Sequence, residues 1–197
     1  MTPRAIERVE VGLFGKLPAR GDFVRIGLPA HFVAPWDAWL QEMIAASQAS
    51  MGSSWLPAYL ESPVWRFALP AGMCGPGTAI GVMMPSVDRV GRYFPLTLAA
   101  VRHPDGFVAP DEAAEAWLDA CEAAGREALE ADAGPEQVLA CLPALPCSGA
   151  AAAPMAATWW TDGGPRVSPA RLSLAALPDP TQFAAMLGQG LVGQVDA

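Results

Sequence analysis

Thr78-Ala79-Ile80-Gly81-Val82-Met83-Met84, then Pro85-Ser86-Val87-Asp88-Arg89-Val90-Gly91-Arg92, then Tyr93-Phe94-Pro95-Leu96-Thr97-Leu98-Ala99-Ala100-Val101, reads as two strands joined by a charged link. The first segment is apolar nearly throughout, the pattern of an interior strand covered on both faces. The third segment is its expected antiparallel partner. The link, residues 85–92, spans eight positions, where hairpins ordinarily use about two to five. It is therefore longer than strand reversal requires, and its glycine and charged residues point to a positioned polar surface.

Outward from this pair, strands and helices alternate irregularly. Residues 9–14 read as a first strand, 15–21 as a loop punctuated by Pro18 and two glycines, and 22–26 as a short extended segment. Residues 29–50 read as a helix whose Trp36, Trp39, Leu40, Met43 and Ile44 share one apolar face. Residues 55–60 suggest a helical turn. In 64–69, Trp65, Phe67 and Leu69 alternate with Arg66 and Ala68, the signature of a half-buried strand.

The clearest helix spans 111–131, with Asp111 as N-cap and Trp117, Leu118, Cys121, Ala124, Ala128 and Leu129 facing inward. Its Glu112, Glu115, Asp119, Glu122, Arg126 and Glu130 form the opposite, solvated face. A helix over 135–142, a Pro/Ala/Gly linker over 143–154, strands at 156–161 and 171–176, and a helix over 181–187 capped by Thr181 complete the reading. An α/β chain of the α+β kind results: a mainly antiparallel sheet flanked by helices, in a single domain over 1–197.

Composition narrows the function. Hydrophobic residues make up 52% and charged residues 16% of 197 positions, the balance of a folding chain. Net charge is −8 and unevenly placed: residues 1–102 carry nine basic and seven acidic groups, residues 103–197 three and thirteen. Nucleic-acid binding needs a basic surplus to displace counterions, and docking on anionic lipid needs the same. No apolar run reaches membrane-spanning length, and the N-terminal residues lack the apolar core of a signal peptide, so a cytoplasmic location is expected. Cys74, Cys121, Cys141 and Cys147 show neither metal-ligand spacing nor neighbouring histidines, and free thiols are expected.

A second charged string, Phe14-Gly15-Lys16-Leu17-Pro18-Ala19-Arg20-Gly21-Asp22-Phe23-Val24-Arg25, contains the lone lysine of the chain. It is not a phosphate loop. Two residues separate Gly12 from Gly15 where four are needed, and Leu17 follows Lys16 in place of the hydroxyl that would hold magnesium. Arg20-Gly21-Asp22 is most simply a turn. No Gly-x-Ser-x-Gly elbow is present, and His31 and His103 are the two histidines. No catalysis, cofactor or metal is expected.

What remains is recognition, because arginine forks bind carboxylates and phosphates with defined geometry. Lys16, Arg20, Asp22, Arg25, Ser86, Asp88, Arg89 and Arg92 are the candidate partner-binding residues. The same residues have an internal role open to them, with Asp22 and Asp88 pairing with nearby arginines to lock two loops together.

At these residues the chain resembles the TagF (ImpM) family of type VI secretion-associated proteins. The resemblance is carried by Gly12-Leu13-Phe14-Gly15-Lys16-Leu17-Pro18-Ala19-Arg20-Gly21-Asp22-Phe23-Val24-Arg25, Trp36-Asp37-Ala38-Trp39-Leu40-Gln41, Ser62-Pro63-Val64-Trp65-Arg66-Phe67, the 85–96 string and Trp159-Trp160-Thr161-Asp162-Gly163. It implies a longin- or SNARE-like fold and a cytoplasmic, post-translational repressor of type VI secretion assembly. The implied partner is that system's forkhead-associated (FHA) scaffold protein. A structural accessory module of the baseplate or membrane complex is the alternative. Some relatives carry a fused PP2C-like phosphatase, an activity not carried over to this chain.

Overall fold

The apolar run around Val82 lies at the middle of the molecule. A computed structural model describes residues 8–103, 112–145 and 156–188. Among them, strands β1 (Arg8–Gly15), β2 (Val24–Ile26), β3 (Trp65–Leu69), β4 (Thr78–Met84), β5 (Leu96–His103), β6 (Ala157–Thr161) and β7 (Ala170–Leu174) form one sheet. Its order is β2-β1-β5-β4-β3-β6-β7, and every pairing is antiparallel. β4 pairs with β5 from Thr78 opposite Arg102 to Met84 opposite Leu96. β5 starts later than the sequence suggested. Pro95 cannot donate to the ladder, so Tyr93 contributes only an isolated bridge to Val87 and the link lengthens.

Helices cover both faces. On one lie α1 (Ala30–Met51), α2 (Trp55–Leu60) and α5 (Pro180–Leu187); on the other lie α3 (Glu112–Glu130) and α4 (Pro135–Ala140). The first face is built on aromatics. Trp36 stacks on Phe32 at 5.5 Å and on Trp159 at 6.0 Å, with Phe67 at 4.8 Å and Trp39 at 4.9 Å. Their polar ends are satisfied where the chain permits: Trp36 Nε1 donates to Thr97 Oγ1 at 3.0 Å, Trp39 Nε1 to the Pro178 carbonyl at 2.8 Å, and Trp65 Nε1 to the Met186 carbonyl at 3.1 Å. The second face is aliphatic, with Leu13, Ile80, Val82, Leu96 and Leu98 under Trp117, Leu118 and Cys121 of α3.

Two further sequence expectations change. β3 is buried along its whole length because helices cover both of its sides. Trp65, Phe67 and Leu69 enter the aromatic layer, while Arg66 points under α3. There its guanidinium meets Glu115 at 2.8 Å, Asp119 at 2.7 Å and Glu122 at 3.2 Å. Burial disfavours the charged guanidinium, but these carboxylates outweigh it and raise its affinity for the proton. The polar side of α3 is thus partly an internal docking seam and not wholly a solvated face.

The second change is at α5, which is capped by Asp179, not Thr181. Asp179 Oδ1 accepts from the Gln182 N–H at 2.8 Å and Gln182 Oε1 accepts from the Asp179 N–H at 2.9 Å, with Pro180 in the first turn. Cys74 and Cys121 are buried free thiols and Cys141 is an exposed one; burial pushes the Cys74 thiol up to about 12. The expected cap Asp111, Cys147 and most of the 143–154 linker lie outside the described residues. Among the described residues, no helix is long and apolar enough to cross a membrane.

Candidate functional site

The two charged strings meet. β1 and β5 are neighbours, with Phe14 opposite Thr97. The loop leaving β1 at Gly15 and the loop entering β5 at Leu96 therefore emerge side by side at one end of the sheet. Lys16 Nζ lies 2.6 Å from Asp88 Oδ2, and both side chains are almost wholly buried. Ser86 Oγ donates to the Lys16 carbonyl at 2.6 Å, and the Arg89 N–H donates to the Arg20 carbonyl at 2.9 Å. The Tyr59 hydroxyl donates to the Ser86 carbonyl at 2.8 Å and accepts from the Ser86 N–H at 2.9 Å, fastening α2 to the same point.

Asp88 is the hub. Its Oδ1 accepts from the Val90 and Arg92 N–H groups at 3.0 and 2.9 Å, and its Oδ2 accepts from Arg92 Nε at 2.7 Å as well as from Lys16. Burial alone would push this carboxyl up; Lys16, Arg92 and the two N–H groups overcome that and hold it well below the ordinary carboxylate range. Arg92 reaches onward to the Gly21 carbonyl and sits 3.8 Å from Asp22. A carboxylate with four donors and a lysine with one acceptor make an internal lock that fixes both loops.

Eight candidate residues thus divide by exposure. Lys16, Ser86 and Asp88 are buried and brace the loops; they do not face solvent. Arg20, Asp22, Arg25, Arg89 and Arg92 are exposed, and Arg92 shows 57% of its side chain even while it braces Asp88. Ser86 Oγ is spent on a carbonyl and Asp88 on its donors, so neither is placed to act as nucleophile or base.

Two apolar side chains that the sequence reading did not single out share this face. Phe23 is 49% exposed and Val90 67%. Phe23 is held in place from below, stacked on Phe14 at 5.9 Å, edge-on to Phe94 at 4.8 Å, and with Lys16 Nζ 5.0 Å from its ring centre. The available signal was an aromatic inside a charged string, which reads equally well as a core residue. Beside it runs an open groove of about 350 Å³ lined by residues 20–26 with Pro135 and Glu136 of α4.

The lock carries a pH signature. Asp88→Asn strands Lys16 in the interior, and a fall in Tm of about 10 °C at pH 7 is expected. Because the folded carboxyl lies below its ordinary value of 3.8, its contribution is complete above that value and is lost as pH falls beneath it. The Tm gap between wild type and variant should be flat from about pH 7 to pH 5 and narrow below about pH 4. Thermal melts across that range test this; a gap that stays constant to pH 3 contradicts it.

The chain, an antiparallel sheet flanked by helices, belongs to a type VI secretion-associated family. Residues 12–145 match the model of the TagF N-terminal domain, described as type VI secretion system-associated. The chain is also similar to PA0076 from Pseudomonas aeruginosa PAO1, a crystal structure 38% identical in sequence. That match has a TM-score of 0.81 and covers 95% of this chain and 98% of that one. No curated protein matches the sequence.

Proposed function

We propose that this protein is a non-catalytic, cytoplasmic repressor of type VI secretion assembly that acts by binding the system's FHA-domain scaffold through the loop face. One observation carries this reading. Arg20, Arg25, Arg89 and Arg92 stand exposed around Phe23 and Val90 on a backbone pinned from within by Lys16 and Asp88. Arginine and aromatic anchors dominate protein interfaces, and a surface fixed before the encounter loses little entropy on binding. Membership of a type VI secretion-associated family supports the biological setting. Occupancy of the scaffold is sufficient for repression, so no bond needs to be made or broken.

The test is deletion of the gene followed by an effector-secretion assay. Removing a repressor raises secretion, and wild-type complementation returns it to the starting level. Loss of secretion on deletion contradicts repression and favours the alternative, a structural module of the baseplate or membrane complex.

A further inference from the structure

Spare hydrogen-bonding capacity on the loop face specifies what it binds. Among the described residues, the side chains of Arg25 and Arg89 have no ion pair or hydrogen bond. Arg20 has a loose pair with Glu136 at 3.7 Å between two exposed side chains, an arrangement of little energetic weight. Each guanidinium carries five donors and no acceptor. Arg89 also lies close to Gly21, since a methyl group placed on that glycine would stand 3.7 Å from Arg89 Nη2. Three guanidinium groups with uncommitted donors therefore border one short stretch of chain, beside a groove that the half-exposed Phe23 helps to line.

We propose that this groove takes an extended acidic segment of a protein partner. Its carboxylates sit on Arg20, Arg25 and Arg89, and an apolar side chain lies against Phe23 and Val90. The inference rests on the reading of this face as the scaffold-binding surface and names the chemistry of the segment it captures. Charge complementarity selects the occupant. The whole chain is acidic at −8, so a large polyanion meets net repulsion, whereas a peptide confined to the face feels mainly charges within a Debye length of roughly 8–10 Å. Asp22 and Glu136 stand among the lining residues. They oppose the concentrated double charge of a phosphate more than single carboxylates spaced along a chain. Exposed apolar groups between the arginines suit a peptide that carries both kinds of side chain.

The probe is a fluorescein-labelled synthetic peptide of alternating Asp and Glu around one leucine, titrated with the intact protein and read by anisotropy. Two further peptides serve as comparisons, one with Asn and Gln at the acidic positions and one with phosphoserine replacing the central acid. The acidic peptide is expected to bind about tenfold or more tightly than the amide peptide. Arg25→Ala with Arg89→Ala should weaken it by about tenfold or more. Val90→Asp should also weaken it, without change in the circular dichroism spectrum, because all three positions are exposed.

Equal binding of acidic and amide peptides, or undiminished binding by the folded double variant, overturns the inference. A phosphoserine peptide bound about tenfold more tightly than the acidic one also overturns it, in favour of a phosphorylated ligand. Capture of intact scaffold without binding of the acidic peptide refutes the inference and leaves the scaffold reading standing. Binding of the peptide without capture of scaffold does the reverse.

Discussion

Trp159→Ala is expected to destabilise the protein by about 4 kcal/mol, the middle of the range for truncating a large buried aromatic side chain. Trp159 has no exposed surface and sits in the aromatic layer, 6.0 Å from Trp36, 5.7 Å from Trp39 and 5.4 Å from Phe67. Its Nε1 finds no hydrogen-bond acceptor among the described residues, so the loss is one of packing and not of a hydrogen bond. Neighbouring rings are anchored by their own bonds, Trp36 to Thr97 and Trp39 to the Pro178 carbonyl, which limits how far the cavity can collapse. Urea unfolding should show a lower midpoint with an unchanged slope. A midpoint change worth less than about 1 kcal/mol would mean that the layer repacks freely and that its stacking is not what holds α1 to the sheet.

Gly15→Ala should be nearly as damaging, and in a different way. Gly15 ends β1 at φ 133°, a conformation L side chains rarely adopt, and an added Cβ would stand 2.1 Å from the Pro95 carbonyl oxygen. The clash is with backbone on the neighbouring loop, so it is relieved only by moving that loop or this one. Strain and displacement together are expected to cost about 3 kcal/mol. They also move Lys16, the next residue, out of register with Asp88. The variant should therefore lose thermal stability and scaffold capture together, whereas Trp159→Ala loses stability first and keeps capture while folded. Wild-type stability in Gly15→Ala would show that the two loops are not tightly juxtaposed at this point.

How far the sequence could be read follows from where each side chain finds its partner. The apolar run of β4 was legible because a strand covered on both faces must be apolar on both. β3 is covered in the same way, yet it looked half-buried, because Arg66 alternates with apolar neighbours as a solvent-facing residue would. Its partners Glu115, Asp119 and Glu122 come from a helix about fifty positions further on, and no local pattern reports that pairing. Local competition explains the displaced cap at α5: Asp179 with Pro180 and Gln182 makes a stronger start than Thr181.

At the site, both charged strings stood out for their composition. The meeting of Lys16 with Asp88 spans 72 positions and becomes visible only through the pairing of β1 with β5. Of the two roles the sequence left open, the structure shows the internal lock and which of the candidate side chains it leaves exposed. Lys16, Ser86 and Asp88 are buried in the lock, the side chains of Arg20, Arg25 and Arg89 stand outside it, and Arg92 belongs to it while staying largely exposed.

Co-purification of the FHA scaffold with an Arg89→Ala, Arg92→Ala double variant bears most directly on the claim that this rigid arginine face is a contact surface. With the fold verified by melting temperature, scaffold recovery should fall to about one tenth of wild type or less. Full recovery by a folded double variant would contradict the account.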